Sequence, residues 1–332
     1  MKRILTIVLL SMMGFAAEII TFDDNWAPNS MFNLVSETPA GVEIVFSMHR
    51  LVSEETIVDG VPMKTYGMPG IFLPHDEGAP NLAGTGRFIA VPQGAHATVT
   101  ILDSRTEVYH DVDVTPAPNI PRENDDSPLR YEKDMKIYSR DAYYPTSPVR
   151  LSEPMKMRGV DAVILGITPF QYNPVTKELI VYKDLRVRVD FVGGNGHFGD
   201  DRLRSRFWEP LLHAHLLNYK SLSRIDFYAP DRITGRDGYE YVIIVPDDPV
   251  FVAWGDTIKA WRKLQGISCE VYTLTEVGGS SAAAIENFLN DAYNYWDVPP
   301  VAFLLLSDYP SSGDVYGITS PVWSGTGGSC VS

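Results

Sequence analysis

The sequence is poor in cysteine, in positive charge and in long apolar runs, and each shortage excludes a class of protein. Two cysteines, Cys269 and Cys330, occur among 332 residues, which is too few for a disulfide-rich framework. Neither Cys-x-x-Cys nor His-x-x-x-His occurs, which argues against the common zinc sites. The 28 Lys and Arg residues are outnumbered by 42 Asp and Glu, and the net charge of −14 argues against a nucleic-acid partner.

The most apolar segment lies at the N-terminus. It follows Lys2 and Arg3, is too short to span a bilayer, and ends in small residues. This layout predicts a secretory signal peptide over residues 1–17 that is removed near Ala17, and therefore a secreted, extracellular or cell-surface protein. A buried N-terminal strand is the alternative. No other segment predicts a membrane span.

Residues 18–228 have the pattern of an all-β sandwich. Short segments of alternating polarity recur between Pro and Gly turns, which is typical of a β-sandwich or jelly roll. Residues 116–144 interrupt this pattern with prolines and acidic side chains and predict a long exposed loop. The predicted strands cover residues 42–48, 87–92, 97–102, 107–112, 177–182 and 185–191, a strand pair covers 158–167, and an amphipathic helix covers 207–219.

Residues 239–332 change to the pattern of an α/β domain. Three apolar strands, at 241–245, 267–272 and 301–306, are separated by two segments with helical spacing. Two successive crossovers predict a doubly wound parallel sheet, in which sites lie at the carboxyl edge. The first strand is followed by Pro-Asp-Asp-Pro instead of a glycine-rich phosphate loop, which argues against a nucleotide-dependent enzyme.

A polar segment with glycines on both sides of Arg236, residues 229–238, lies between the two patterns and predicts a linker. Exposed and flexible segments are preferred sites of proteolysis, so we expect the chain to be cut here.

Three stretches of the α/β part resemble the start of the catalytic domain of the gingipain family of secreted cysteine peptidases. They are Tyr-Val-Ile-Ile-Val from Tyr241, Trp-Arg-Lys-Leu-Gln-Gly-Ile-Ser-Cys-Glu-Val-Tyr from Trp261, and Ala-Phe-Leu-Leu-Leu-Ser-Asp-Tyr-Pro from Ala302. Ser307 stands where the family usually has Gly.

The end of the β part resembles the end of the propeptide of the same family. The matching pieces, in the same order, are Arg-Gly at Arg158, Gln-Tyr-Asn-Pro from Gln171 and Val-Arg-Val from Val187. The resemblance implies a multidomain precursor, in which a β-sandwich propeptide assists folding and blocks the active-site cleft of a caspase-like catalytic domain.

The resemblance also implies the chemistry and the maturation. A Cys thiolate activated by a His would cleave protein or peptide substrates. In the family both residues follow later strands, so we expect them downstream of Ser332, no catalytic residue within this chain, and a chain that stops inside the catalytic domain. Arg232 or Arg236 is the expected cleavage residue. No cofactor is expected for the chemistry, and the structural calcium ion that the resemblance implies has no assignable ligands here.

Cys269 and Cys330 are poor nucleophiles by pattern, because the α/β part contains no histidine to activate them. The sequence leaves open whether they form a disulfide or remain two ordinary thiols. A non-catalytic secreted protein, with a sandwich that binds a partner and an α/β scaffold, is the competing function. A His-Gly and a later Cys at strand ends beyond Ser332 would favour the peptidase.

Overall fold

The computed structural model describes residues 17–71, 76–121, 125–229, 236–308 and 316–318, and the backbone of 322–325 and 328–331. Its elements group into two compact units. The first contains residues up to 89, 94–154 and 163–196, and the second contains residues 90–93, 155–162 and those from 197 onward.

Antiparallel strands form the β-rich part of the chain. One sheet has the strand order β11-β12-β3-β2, with β7 also on β12, a second has β1-β4-β5, and a third has β6-β10-β8, with β9 on β10. The strands are β1 (Glu18–Thr21), β2 (Phe32–Thr38), β3 (Gly41–Ser47), β4 (Arg50–Val58), β5 (Val61–Gly67), β6 (Thr85–Ala90), β7 (Ala95–Tyr109), β8 (Val149–Leu151), β9 (Met155–Met157), β10 (Val160–Ile167), β11 (Phe170–Asn173) and β12 (Glu178–Gly193).

The strands β7 and β12 are longer than the sequence pattern predicted. We expected two strands over residues 97–112 and two over 177–191, and each pair is one continuous strand of 15 or 16 residues. The pairing of β7 with β12 shifts register between Tyr182 and Asp184 and again between Arg186 and Val187. Such β-bulges absorb an extra residue, so the strand continues where the alternation of the sequence breaks.

The first bulge directs the carboxylate of Asp184 into the sandwich, where it has no solvent exposure. Its Oδ1 accepts hydrogen bonds from the backbone N–H of Trp26 at 2.9 Å and the hydroxyl of Ser47 at 2.5 Å. Its Oδ2 accepts a hydrogen bond from Nε of Arg105 at 2.8 Å, and Arg105 also pairs with Asp24. One carboxylate therefore joins the segment after β1 to strands β3, β7 and β12.

The second unit contains a parallel sheet with the strand order β14-β13-β15. The strands are β13 (Tyr241–Val245), β14 (Cys269–Thr273) and β15 (Ala302–Leu305), and β16 (Val322–Gly325) pairs with β17 (Gly328–Val331) in a separate antiparallel ribbon. The α-helices within the described residues are α1 (Met135–Tyr138), which lies in the first unit, α2 (Glu209–His215), α3 (Pro249–Leu264), α4 (Leu274–Val277) and α5 (Ala282–Tyr295).

Helices cover both faces of this sheet, because β13 has apolar side chains on both. Ile243 and Val245 pack under α3, with Phe251 and Ile258. Val242 and Ile244 form the opposite core with residues of α4 and α5. The predicted β-sandwich followed by the start of a doubly wound α/β sheet is confirmed. None of the helices in the described ranges is both long and apolar enough to cross a bilayer.

Residues 197–229 belong to the second compact unit, whereas we expected the sandwich to extend to residue 228. The helix expected over residues 207–219 is also shorter, since it ends at His215 and the cap residue Leu216 is extended. The physical reason for the grouping is a set of hydrogen bonds from arginines of this segment. Arg202 donates to carbonyl oxygens at the end of α5, and Arg206 pairs with Glu240 next to β13.

We predict that Asp184→Ala lowers the free energy of unfolding by about 3–5 kcal/mol, because it removes a fully buried acceptor and leaves the donors of Trp26, Ser47 and the half-buried Arg105 without it. Asp190→Ala is the matched control, since Asp190 lies on the same strand and pairs with Arg188 at a half-exposed position. The control should cost less than about 1 kcal/mol. Urea denaturation of the full chain, followed by far-UV circular dichroism, measures both. Equal midpoints for the two variants would contradict the role of Asp184.

Candidate functional site

Polar residues follow the strands of the parallel sheet at its carboxyl edge, where the fold places active sites. Asp247 and Asp248 follow β13, Thr273 ends β14, and Ser307 and Asp308 follow β15. The sequence pattern predicted the three strands, and the residues that directly follow a predicted strand therefore belong at this edge.

Several of these side chains hold helix N-termini. Asp248 is the N-cap of α3 and accepts a hydrogen bond from the N–H of Val250 at 2.8 Å. Asp247 Oδ2 accepts one from the N–H of Thr275 in α4 at 3.0 Å. Thr273 and Glu276 form a capping box at the start of α4. These residues shape the edge, and their hydrogen bonds satisfy backbone donors that a helix leaves free.

Cys269 lies at the other end of its strand. It pairs in register with Tyr241 at the amino edge of the sheet and is a free, fully buried thiol. Burial raises its pKa above the ordinary thiol value, and the nearby charge of Glu270 adds to the rise. The structure therefore gives Cys269 a packing role next to Ile243 and Val245. The side chain of Cys330 lies outside the described residues.

The described residues contain no group of three or more His, Cys, Asp or Glu side chains placed to share a metal ion. The structural calcium ion that the resemblance implied is therefore not assigned ligands among them. That ion stays a prediction.

The predicted processing joint is described only at its end. Arg236 is half-buried, and its guanidinium donates a hydrogen bond to the carbonyl oxygen of Asp297. The backbone N–H of Asp237 donates to Asp297 Oδ2 at 3.2 Å. Gly238 pairs with Val298 at φ +105°, where a Cβ would lie 2.4 Å from the Val298 carbonyl oxygen. Glycine here permits a close approach of two chain segments, and residues 236–238 are attached to the sheet unit.

Of the other two processing residues, Ala17 is exposed at the start of the described chain, and Arg232 lies outside the described residues, as do residues 1–16. The three residues are therefore not brought together in one site.

A second polar cluster lies at the amino edge of the parallel sheet, and the sequence analysis did not identify it. It contains Arg158, Arg202 and Arg206, which donate hydrogen bonds to groups at strand starts and helix ends. The sequence signals that were available are the Arg-Gly turn at Arg158 and the alternate arginines at 202, 204 and 206. Neither signal reveals the acceptors, which are mostly backbone carbonyl groups.

A β-sandwich that precedes the first strands of a caspase-like α/β sheet defines a two-part precursor with a pro-region and a catalytic region. Two family models match the two parts in that order. Propeptide_C25 matches residues 27–197, and Peptidase family C25 matches residues 235–309. The chain belongs to this family, the gingipain family of peptidase precursors, which confirms the resemblance found in the sequence.

Curated relatives from Porphyromonas gingivalis support the assignment. Gingipain R2 is 24% identical over 241 residues, which are 70% of this chain and 31% of that protein. Lys-gingipain is 20% identical over 308 residues, which are 89% of this chain and 17% of that protein. Gingipain R1 is 28% identical over 242 residues, which are 70% of this chain and 23% of that protein. The chain thus spans less than a third of the length of these relatives.

A solved structure has the same fold. The complex of the Porphyromonas gingivalis RgpB pro- and mature domains matches with a TM-score of 0.51 and 23% identity, over 57% of this chain and 99% of that chain.

We predict that Cys269 does not react as a catalytic thiol. In a chain carrying Cys330→Ser, Cys269 is the single thiol, and an aromatic disulfide reagent should modify it at pH 7–8 only after urea unfolds the chain. The reason is that a raised pKa keeps the thiol protonated where an unfolded cysteine, with a pKa of about 8.5, begins to ionise. A variant that also carries Cys269→Ser gives the blank. Stoichiometric modification of the folded chain would contradict the packing role.

Proposed function

We propose that this chain carries the propeptide and the first part of the catalytic domain of a secreted, gingipain-like cysteine endopeptidase precursor. The observation that carries the proposal is the order of the two family matches on one chain, the propeptide over residues 27–197 and the peptidase over residues 235–309. In this function the β-sandwich assists folding of the catalytic domain and keeps it inactive until the joint is cut.

The chemistry is hydrolysis of peptide bonds by a Cys thiolate that a His activates, with backbone N–H groups stabilising the oxyanion. The geometry supports a nucleophile outside the described residues, because Cys269 is buried at the amino edge while the family's fold places its chemistry at the carboxyl edge. Proteins or peptides are the proposed substrates, and the net charge of −14 argues against nucleic acid.

Export is part of the proposal. It is supported by the two basic residues, the apolar run and the small residues that end in Ala17. The peptidase match also favours this function over the non-catalytic binding protein that the sequence alone left open, because a binding scaffold does not require a catalytic-domain sequence.

We predict that the purified 332-residue chain hydrolyses no member of a broad peptide library. A longer chain, in which the rest of a gingipain-like catalytic domain follows Ser332, should be a latent peptidase that becomes active after cleavage. Cys269→Ser and Cys330→Ser in the extended chain are the controls, and both should leave the activity unchanged. A following polypeptide without a His-Gly and a later Cys, or activity of the short chain that either substitution abolishes, would contradict the proposal.

Maturation at the joint is tested by N-terminal sequencing and intact mass of the secreted enzyme. We expect the mature N-terminus to lie between residues 230 and 238, and we expect Arg232→Ala with Arg236→Ala to slow its formation more than either single change. Because the guanidinium of Arg236 is bound to the Asp297 carbonyl oxygen, cleavage after Arg236 requires that this hydrogen bond opens first. A mature N-terminus inside the sandwich or beyond Val245 would contradict maturation at the joint.

N-terminal sequencing of the exported precursor should show a start near Ala17. An intact Met1 on exported protein would contradict the predicted signal peptide.

A further inference from the structure

The amino edge of the parallel sheet presents unsatisfied carbonyl groups. Helices α3 and α5 run antiparallel to the strands they connect, so both end at the edge where the strands begin. The last carbonyl groups of a helix lack partners within the helix, and the helix dipole makes this end negative. A cationic donor with several N–H groups is the side chain best suited to such an edge.

Arg202 serves the end of α5. Its Nη1 donates hydrogen bonds to the carbonyl oxygens of Tyr293 at 2.8 Å and Trp296 at 2.9 Å. Helix α5 ends at Tyr295, so both acceptors belong to its last turn and cap. The arginine therefore caps the helix from outside its own segment.

Arg206 serves the end of α3 and the start of β13. Its Nε and Nη2 donate to the two carboxylate oxygens of Glu240 at 3.1 and 3.0 Å, and Nη2 also donates to the carbonyl oxygen of Gly266. Glu240 in turn accepts the backbone N–H of Ser268 at 3.0 Å, just before β14. Burial opposes the charge of Arg206, but the hydrogen bond and charge of Glu240 raise its pKa overall.

Arg158 serves the start of β15. It lies with Gly159 at the tip of the β9–β10 hairpin, where φ is +49° and +77°, as in a two-residue type I′ turn. Its guanidinium stacks 3.8 Å above the ring of Trp208 and donates to the carbonyl oxygen of Val301 at 3.3 Å. Stacking together with hydrogen bonding is a property of arginine that lysine does not share.

All three arginines precede the joint at residues 229–238, and the carbonyl and carboxylate groups to which they donate the hydrogen bonds given above all follow it. Arg202 also lies 3.9 Å from the carboxylate of Asp200, which precedes the joint. We propose that Arg158, Arg202 and Arg206 form an arginine clamp that binds the pro-region to the amino edge of the catalytic sheet, and that this clamp stabilises the sheet and retains the pro-region after the joint is cut. The inference rests on the proposed function, because it takes residues before the joint as the pro-region.

The position of the clamp separates two tasks of a propeptide. The clamp acts where strands begin, and the chemistry of a doubly wound sheet lies where strands end. Stabilisation of the catalytic sheet therefore needs no contact with the active-site cleft, and an inhibitory contact can be lost without loss of the clamp.

The test uses the full chain with a recognition sequence for a site-specific protease in place of residues 230–235. After cleavage, the two pieces should elute together in size-exclusion chromatography. The double variant Arg202→Ala with Arg206→Ala should release them, because each lost charge-assisted hydrogen-bonding group weakens Kd by roughly 10- to 100-fold. Arg158→Ala alone should weaken Kd roughly 10-fold or more by the same reasoning.

The matched control is Arg186→Ala with Arg188→Ala, two half-exposed arginines of β12 that pair with Glu43 and Asp190. Its pieces should stay together. Circular dichroism of the uncut chains checks folding. If the clamp variant loses helical signal before cleavage and the control variant keeps it, the result supports the stabilising role of the clamp. Clamp-variant pieces that elute together as the unmodified pieces do, or unmodified pieces that separate on cleavage, would overturn the proposal.

The readout does not depend on peptidase activity. A chain without peptidase activity after extension would refute the proposed function and leave the co-elution result intact. Conversely, separation of the unmodified pieces after cleavage would refute the clamp even if the extended chain were an active peptidase.

Discussion

The sandwich depends on a carboxylate that has no contact with water. A backbone N–H, a hydroxyl and a guanidinium all donate hydrogen bonds to Asp184, and these donors come from three separate parts of the chain. A buried carboxylate without such partners costs several kcal/mol, so the segments that carry the donors must be in place together. This requirement helps to fix the pairing of β7 with β12, because Arg105 lies on β7 and Asp184 lies on β12.

The parallel sheet could be predicted from the sequence because burial on both faces leaves a plain signal. Strand β13 reads Tyr-Val-Ile-Ile-Val, with its last four residues fully buried, and the helical spacing between the strands predicted two helices, which the structure caps with Asp248 and Ser281. The full length of strands β7 and β12 could not be predicted. A bulge interrupts the alternation of polar and apolar residues, and such an interruption in the sequence normally indicates the end of a strand.

The site was predicted unevenly for a similar reason. The carboxyl edge and the packing role of Cys269 follow from the position of each residue within a strand. The arginine clamp could not be predicted, because most of its acceptors are backbone carbonyl groups. Every residue has such a group, so the sequence does not show which ones accept a hydrogen bond. The grouping of residues 197–229 with the second unit depends on these same hydrogen bonds, which the sequence pattern does not reveal.

The topology of the α/β part makes its folding slow. Parallel strands pair only after long crossovers close, and the early helices expose their carboxyl ends until something binds them. A guanidinium that binds two carbonyl groups at the end of α5, as Arg202 does, supplies that partner from the segment that precedes the parallel sheet in the chain.

The hydrogen bond from Asp237 to Asp297 has a consequence for the mature chain. Cleavage after Arg236 would turn the amide nitrogen of Asp237 into a terminal ammonium group, 3.2 Å from a carboxylate oxygen in the uncut structure. The uncharged donor of this hydrogen bond would then become a cation that forms an ion pair with the carboxylate, and the Asp297 carbonyl oxygen would lose the guanidinium that it binds before cleavage. An exposed pair of this kind contributes up to about 1 kcal/mol. The new N-terminus would thus be held against the domain by the charge that its own formation creates.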